Sequence, residues 1–197
     1  MIKVLIFIIF FFFHIGCKVE INDLRPALNL SWEEEHPERQ LWSYALMGQI
    51  GTYWDRLQFA KDIHYLCHNY ATLSEEEQKE VWAELFVAIA FYESSWNPNA
   101  RSFETTMGYY SEGLFQMSYV DESWAKCGFD ESKGNALDPV TNINCAVKVL
   151  SSQVKRTGKI LLKRNERPYW AVIITDGRYS KIPQIKNRIE KSILNCN

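Results

Sequence analysis

The segment VWAELFVAIAFYESSWNPNARS, Val81 to Ser102, runs a string of apolar residues into a single carboxylate, Glu93. Pro98 cannot donate an amide hydrogen bond and restricts Asn97 to extended geometry, so a helix here ends just past Glu93. The C-terminal end of a helix carries partial negative charge, which disfavours a carboxylate. Phe91, Tyr92 and Trp96 offer it little hydration. Both effects raise a carboxyl pKa. An acid that keeps its proton near neutral pH is what cleavage of a glycosidic bond requires. The competing account is a solvated glutamate at a frayed helix end.

Other groupings carry less. His64 and His68 stand four apart with Cys67 between them, a spacing that can put two ligands on one helix face. No glutamate follows His64 and no further ligands are placed, so a histidine pair without metal is expected, and no cofactor. Lys155, Arg156, Lys159, Lys163 and Arg164 could touch anionic polymer or phospholipid, but read as a solvated helix end and loop. A net charge of −2 gives no electrostatic reason to propose a nucleic-acid partner.

The elements that must hold Glu93 are helical. A chain of 197 residues suffices for one domain with a sizeable core. Its seven tryptophans and ten tyrosines suit packing or the binding of sugar rings. Leu41, Tyr44, Ala45, Met47 and Ile50 predict a first helix ended by Gly51, and Trp54, Leu57, Ile63 and Leu66 a second. Ser74 with Glu77 has capping-box spacing and opens the helix that leads to Glu93, with Trp82, Leu85, Phe86, Ile89 and Ala90 as its buried stripe. Residues 97–113 predict a loop or short hairpin. Asp138-Pro139 starts a helix that stops at Gly158. A short apolar segment, Tyr169 to Ile174, precedes a last helix after Pro183 that includes Ile185, Ile189, Ile193 and Leu194. No sheet pattern or internal repeat is evident.

The N-terminus reads as an export signal. Lys3 precedes an apolar run, Val4 to Phe13, too short to span a bilayer comfortably. Ile15-Gly16-Cys17 resembles the lipobox of bacterial lipoproteins, although His14 departs from the aliphatic residue usual there. The expected organisation is a signal peptide over 1–16, a tether or N-terminal arm over 17–37 and a catalytic domain over 38–197. Cys17 is the lipidation candidate and would supply membrane contact. The protein is expected in the periplasm or cell envelope, or secreted if the lipobox is not used, and as a monomer. Export leaves Cys67, Cys127, Cys145 and Cys196 for two disulfides. Of three connectivities, Cys127–Cys145 with Cys67–Cys196 is preferred.

Three stretches in order resemble the lysozyme-like SLT domain of soluble lytic transglycosylases. They are Glu93-Ser94-Ser95-Trp96-Asn97-Pro98-Asn99-Ala100-Arg101-Ser102, Gly113-Leu114-Phe115-Gln116-Met117, and Asp138-Pro139 with Asn142-Ile143 and Ala146. The resemblance covers roughly Val81 to Val154. It implies a mainly α, lysozyme-like α+β fold with a small loop or hairpin region beside the cleft. It also implies cleavage of the β-1,4 bond between N-acetylmuramic acid and N-acetylglucosamine in peptidoglycan strands. Glu93 takes the acid/base position. Ser102 and Gln116 sit where the family places sugar-binding polar groups; a backbone-tying glutamine is the alternative for Gln116.

Three departures from the family pattern matter. Five extra residues around Met107-Gly108-Tyr109-Tyr110 imply a remodelled cleft rim. The family's A-Y-N-A-G stretch is absent, and Trp170 is the possible substitute for its tyrosine contact. The run Ser111-Glu112-Gly113-Leu114-Phe115-Gln116-Met117-Ser118-Tyr119 is similar to a branch of lysozymes that prefer deacetylated wall glycan, which adds Ser118 and Tyr119 to the expected sugar contacts. Glu104, Glu112, Asp121 and Glu122 then lie near the cleft, where carboxylates favour a glucosamine ammonium. Glu112, also expected to bind substrate, and Asp121 are candidates for a second carboxylate that activates water; for Asp121 a solvated surface acid is the competing account. The rival function is a non-catalytic glycan-binding or envelope structural protein on the same fold.

Overall fold

The longest helix, α3 (Glu75–Ser94), begins where the capping box predicts. The Ser74 hydroxyl accepts from the Glu77 amide at 3.3 Å, and the Glu77 carboxylate accepts from the Ser74 amide at 2.8 Å. Every residue from Val81 to Ala90 is buried, so α3 passes through the middle of the core instead of lying on it with a single stripe. The computed structural model describes residues 29–196.

Around α3 pack α1 (Gln40–Thr52) and α6 (Ile182–Ser192), and α5 (Pro139–Thr157) packs on α1 and on the short α2 (Trp54–Leu57). Asp138 caps α5 by accepting the Thr141 amide at 2.7 Å, Pro139 fills the first turn, and Gly158 ends it in the left-handed region. The second helix expected from Trp54 to Leu66 is broken. Only α2 is α-helical, and Ile63–Tyr65 is a single 3-10 turn, so His64 and His68 share no helix face. Ile193 and Leu194 fall past the end of α6.

The arm expected over 17–37 is part of the packed body from Leu30 onward. Leu30, Trp32 and Glu33 are buried. Trp32 donates its indole hydrogen to the Ser43 hydroxyl at 2.8 Å, and that hydroxyl donates to the Glu33 carboxylate. Ser31 donates its amide and its hydroxyl to Glu84, at 2.9 and 2.8 Å. A buried carboxylate in the central helix thus receives two hydrogen bonds from this segment, and burial pushes its pKa up. Cys17 and the signal over 1–16 lie outside the described residues.

After α3, two left-handed residues, Ser95 and Trp96, turn the chain ahead of Pro98. The region 97–113 then forms an antiparallel hairpin of β1 (Arg101–Glu104) and β2 (Tyr109–Glu112), with Arg101 opposite Glu112 and Glu104 opposite Tyr109. A four-residue helix, α4 (Glu122–Ala125), follows the loop after β2. The described residues form a mainly helical α+β domain with this one small sheet. Disulfides join Cys67 to Cys196 and Cys127 to Cys145, the preferred pairing, and place the domain in an oxidising, extracytoplasmic compartment. Among the described residues no helix is long and apolar enough to cross a membrane.

Candidate active site

Glu93 lies in the last turn of α3 and faces a groove of about 630 Å³. Its pKa is pushed up to about 7, first by burial and then by the negative charge of Glu104. No hydrogen bond to the carboxylate offsets these effects among the described residues.

The hairpin supplies one wall. Successive strand residues face opposite sides, so Ser102 and Glu104 of β1 and Tyr109 and Ser111 of β2 line the groove. The Ser111 hydroxyl donates to Glu104 at 3.3 Å. Phe103 and Tyr110 pack together on the other face, with ring centroids 5.0 Å apart and planes tilted by 57°. The same alternation removes Glu112 from the site. It is buried, does not line the groove, and pairs with Arg101 directly across the hairpin at 2.6 Å. Glu112 is therefore a structural ion pair, not a groove acid. The extra residues between Ser102 and Gly113 are the hairpin turn, and Met107 brings it over the groove.

The loop after β2 forms the floor. Gly113 has φ +75, and a Cβ there would sit 2.5 Å from Asn142 Nδ2 and 2.6 Å from the Ala136 carbonyl oxygen. Asn142, buried in α5, ties this loop down. Its Oδ1 accepts the Phe115 amide at 2.8 Å, and its Nδ2 donates to the carbonyls of Glu112 and Ala136 at 3.0 and 2.8 Å. Gln116 lines the groove, but its amide nitrogen is spent on the carbonyls of Ala100 and Gly113 at 3.2 and 2.9 Å. The backbone-tying account of Gln116 is therefore present, with the amide oxygen left for a ligand.

The opposite wall comes from residues 118–124 and 168–171. Ser118 and Asp121 are buried against the groove, and the Ser118 amide donates to Asp121 Oδ2 at 2.8 Å. Tyr169 donates its hydroxyl to the same oxygen. The Tyr169 pKa is far above its ordinary value through burial and then the Asp121 charge. Trp124 is exposed at the rim, with its ring 6.2 Å from that of Tyr169.

Two expected sugar contacts change role here. Tyr119 does not line the groove; its hydroxyl accepts the Ala136 amide at 3.1 Å, and its ring packs on Phe129. Trp170 reaches the groove wall but is 2 % exposed, and its indole donates to the Phe115 carbonyl at 2.9 Å. The polar aromatic tip in the groove is instead its neighbour Tyr169. Asp121 is not a solvated surface acid but a groove carboxylate, whereas Glu122 is tied to the Phe129 amide at 3.0 Å. Trp124 carries no signal in the sequence beyond its aromatic type, whereas Tyr109 falls among the extra rim residues and Tyr169 beside Trp170 in the apolar segment.

Comparison with known proteins accords with this arrangement. In solved structures the chain is similar to "Bd0314 DslA wild-type form 2", with a TM-score of 0.75 and 23% identity over 87% of this chain and 100% of that one. Two glutamate-to-glutamine mutants of the same protein match at a TM-score of 0.73 with 23% and 21% identity and the same coverage. At these identities the likeness is one of fold. No curated protein matches the chain. Residues 71–174, more than half of the sequence, match the family described as "Transglycosylase SLT domain". That span contains Glu93, the hairpin, the Asn142-tied loop and Tyr169, and the chain belongs to the transglycosylase SLT domain family.

Proposed function

We propose that this protein is an exported enzyme that cuts the glycan strands of peptidoglycan, with Glu93 as general acid and then base. The observation that carries the reading is the Glu93 carboxyl, held near pKa 7 in a groove lined by polar and aromatic side chains. The bond cut is the β-1,4 link between N-acetylmuramic acid and N-acetylglucosamine or its deacetylated form. Glu93 gives its proton to the bridging oxygen as the C1–O bond breaks. The resulting carboxylate takes a proton from the hydroxyl that bonds to C1, which restores the acid. That hydroxyl belongs to water in a hydrolase and to the sugar's own C6 in a lyase, where proximity supplies the nucleophile.

Glu104 joins Asp121 as a candidate second carboxylate, and Glu112, paired with Arg101 outside the groove, is not one. The charge of Glu104 supports the proton on Glu93, and Glu104 faces the groove. Two of the similar structures carry glutamate-to-glutamine changes eleven positions apart, the separation of Glu93 and Glu104 here. Three acids, Glu93, Glu104 and Asp121, line the groove. This supports a preference for glycan with free amines, whose ammonium groups carboxylates attract. Ser102, Gln116 and Ser118 are the polar sugar contacts in this account, and Trp124 with Tyr169 the stacking surface. Export, with lipid attachment at Cys17, belongs to the same proposal.

Mass spectrometry of products from normal and deacetylated wall tests it. Anhydro ends report lyase chemistry and reducing ends hydrolysis, with deacetylated strands cut faster. Sedimentation with wall sacculi without any released fragment would establish the non-catalytic alternative.

A further inference from the structure

Behind α3 lies a second cavity, of about 440 Å³, enclosed by the N-terminal segment and α6. Phe91 of α3 and Ser95 just past its end line it. Phe91 is two residues before Glu93 on the helix, about 200° around it, so this cavity and the groove open on opposite sides of α3.

Its walls are aromatic and fixed. The Trp32 indole donates to Ser43 and the Trp96 indole to the Val87 carbonyl, each at 2.8 Å. Against these rings lie two guanidinium groups. Arg188 sits 3.6 Å from the Phe91 centroid and 5.4 Å from that of Trp96. Arg39 sits 5.7 Å from the Trp96 centroid and donates to the Trp32 carbonyl at 3.0 Å. Lys191, one turn beyond Arg188 on α6, adds a third cation to the lining. None of these three is in an ion pair among the described residues. Glu34 and Glu35 are exposed at the edge, and Glu84 nearby is engaged by Ser31. Burial pulls the Arg39 pKa down, and the charge of the adjacent Glu38 opposes that only in part. Partly buried guanidinium groups stacked on aromatic rings keep their in-plane donors for a planar anion.

We infer that this cavity is a second binding site, which takes a free carboxylate of the peptide stems carried by the glycan. Arg188 receives the carboxylate in its fork, and Arg39 and Lys191 supply positive potential. The cavity suits a group of amino-acid size. Glu34 and Glu35 at the edge favour a peptide end that also bears an ammonium and disfavour a doubly charged phosphate. The site would hold a strand by its peptide while the other side of α3 cuts the sugar chain. The inference rests on peptidoglycan as substrate, but its test does not require cleavage.

The full chain is titrated with a soluble stem peptide bearing a free C-terminal carboxylate, followed by tryptophan fluorescence. The same peptide as its carboxamide, and inorganic phosphate, serve as comparisons. Saturable binding of the acid is expected, weakened about tenfold or more by amidation and by Arg188→Met, as for loss of a charged hydrogen bond. Arg188→Lys, which keeps charge but not the fork, is expected to fall between. Equal binding of acid and carboxamide, or phosphate binding tighter than the peptide, overturns the site. Unaltered peptide binding by both Arg188 variants does so as well. Loss of glycan cleavage with peptide binding intact would count against the proposed function alone.

Discussion

Tyr169 donates its hydroxyl hydrogen to Asp121, 48 residues earlier, and the Ser118 amide donates to the same carboxylate oxygen. All three residues line the groove that holds Glu93. Two donors on one oxygen hold the carboxylate at the wall. Tyr169→Phe removes the side-chain donor, and kcat/KM on wall glycan is expected to fall about ten- to a hundredfold. The pH profile should stay in place, because Tyr169 holds its proton far above the working range. Steady-state rates at several pH values check both parts.

The alkaline limb of the pH–rate profile should follow Glu93. With a pKa of about 7, activity that needs its proton declines above neutral pH. Burial is the larger cause and Glu104 the second. Glu104→Gln removes only the second, so the decline moves to lower pH while staying above the ordinary value of 4.5. A pH–rate profile with an unmoved limb would show that the Glu104 charge does not reach Glu93.

Stability should carry the same signature with a definite sign. A carboxyl whose folded pKa lies above its unfolded value binds more protons when folded, so stability falls as pH rises between the two. For Glu93 that window runs from about 4.5 to about 7, and the loss is at most about 3 kcal/mol. Glu93→Gln has no charge to bury. Its melting temperature relative to wild type should be close at pH 4.5 and higher at pH 8, as thermal unfolding at the two pH values would report.

Asn142 ties three buried backbone groups together through one side chain. Asn142→Ala leaves the Phe115 amide and the carbonyls of Glu112 and Ala136 without this partner in a buried place. The Glu112 carbonyl keeps the Met117 amide at 2.9 Å, so two groups lose their partner, and destabilisation of about 2 kcal/mol or more is expected in urea unfolding, since each buried group left unpaired costs about 1–3 kcal/mol. Gly113→Ala should act on the same joint by collision with Asn142 and Ala136.

Local chemistry made much of this legible in the sequence. Ser74 with Glu77, Asp138 with Pro139, and Gly158 mark helix ends through hydrogen bonds made within a few residues, and each end lies where those residues place it. Glu93 was legible for the same reason, since its helix, the stop beyond it and its aromatic neighbours are adjacent in the chain. What stayed hidden depends on distant pairing. Glu112 leaves the groove because the hairpin register sets it across from Arg101, and that register rests on a turn at 105–108 that the sequence left open. Tyr169 reaches Asp121 only through the folding of residues far apart, so Trp170 was the more visible aromatic. The N-terminal arm read as a tether because its buried partner, Glu84, is a charged residue inside an apolar helix.

The central claim is that Glu93 delivers the proton. Its direct test is the rate of fragment release from purified wall by wild type and by Glu93→Gln, with circular dichroism to verify that both are folded. A loss of about a hundred- to ten-thousandfold is predicted, as for removal of a general acid–base. A folded Glu93→Gln protein that releases fragments at the wild-type rate would contradict it.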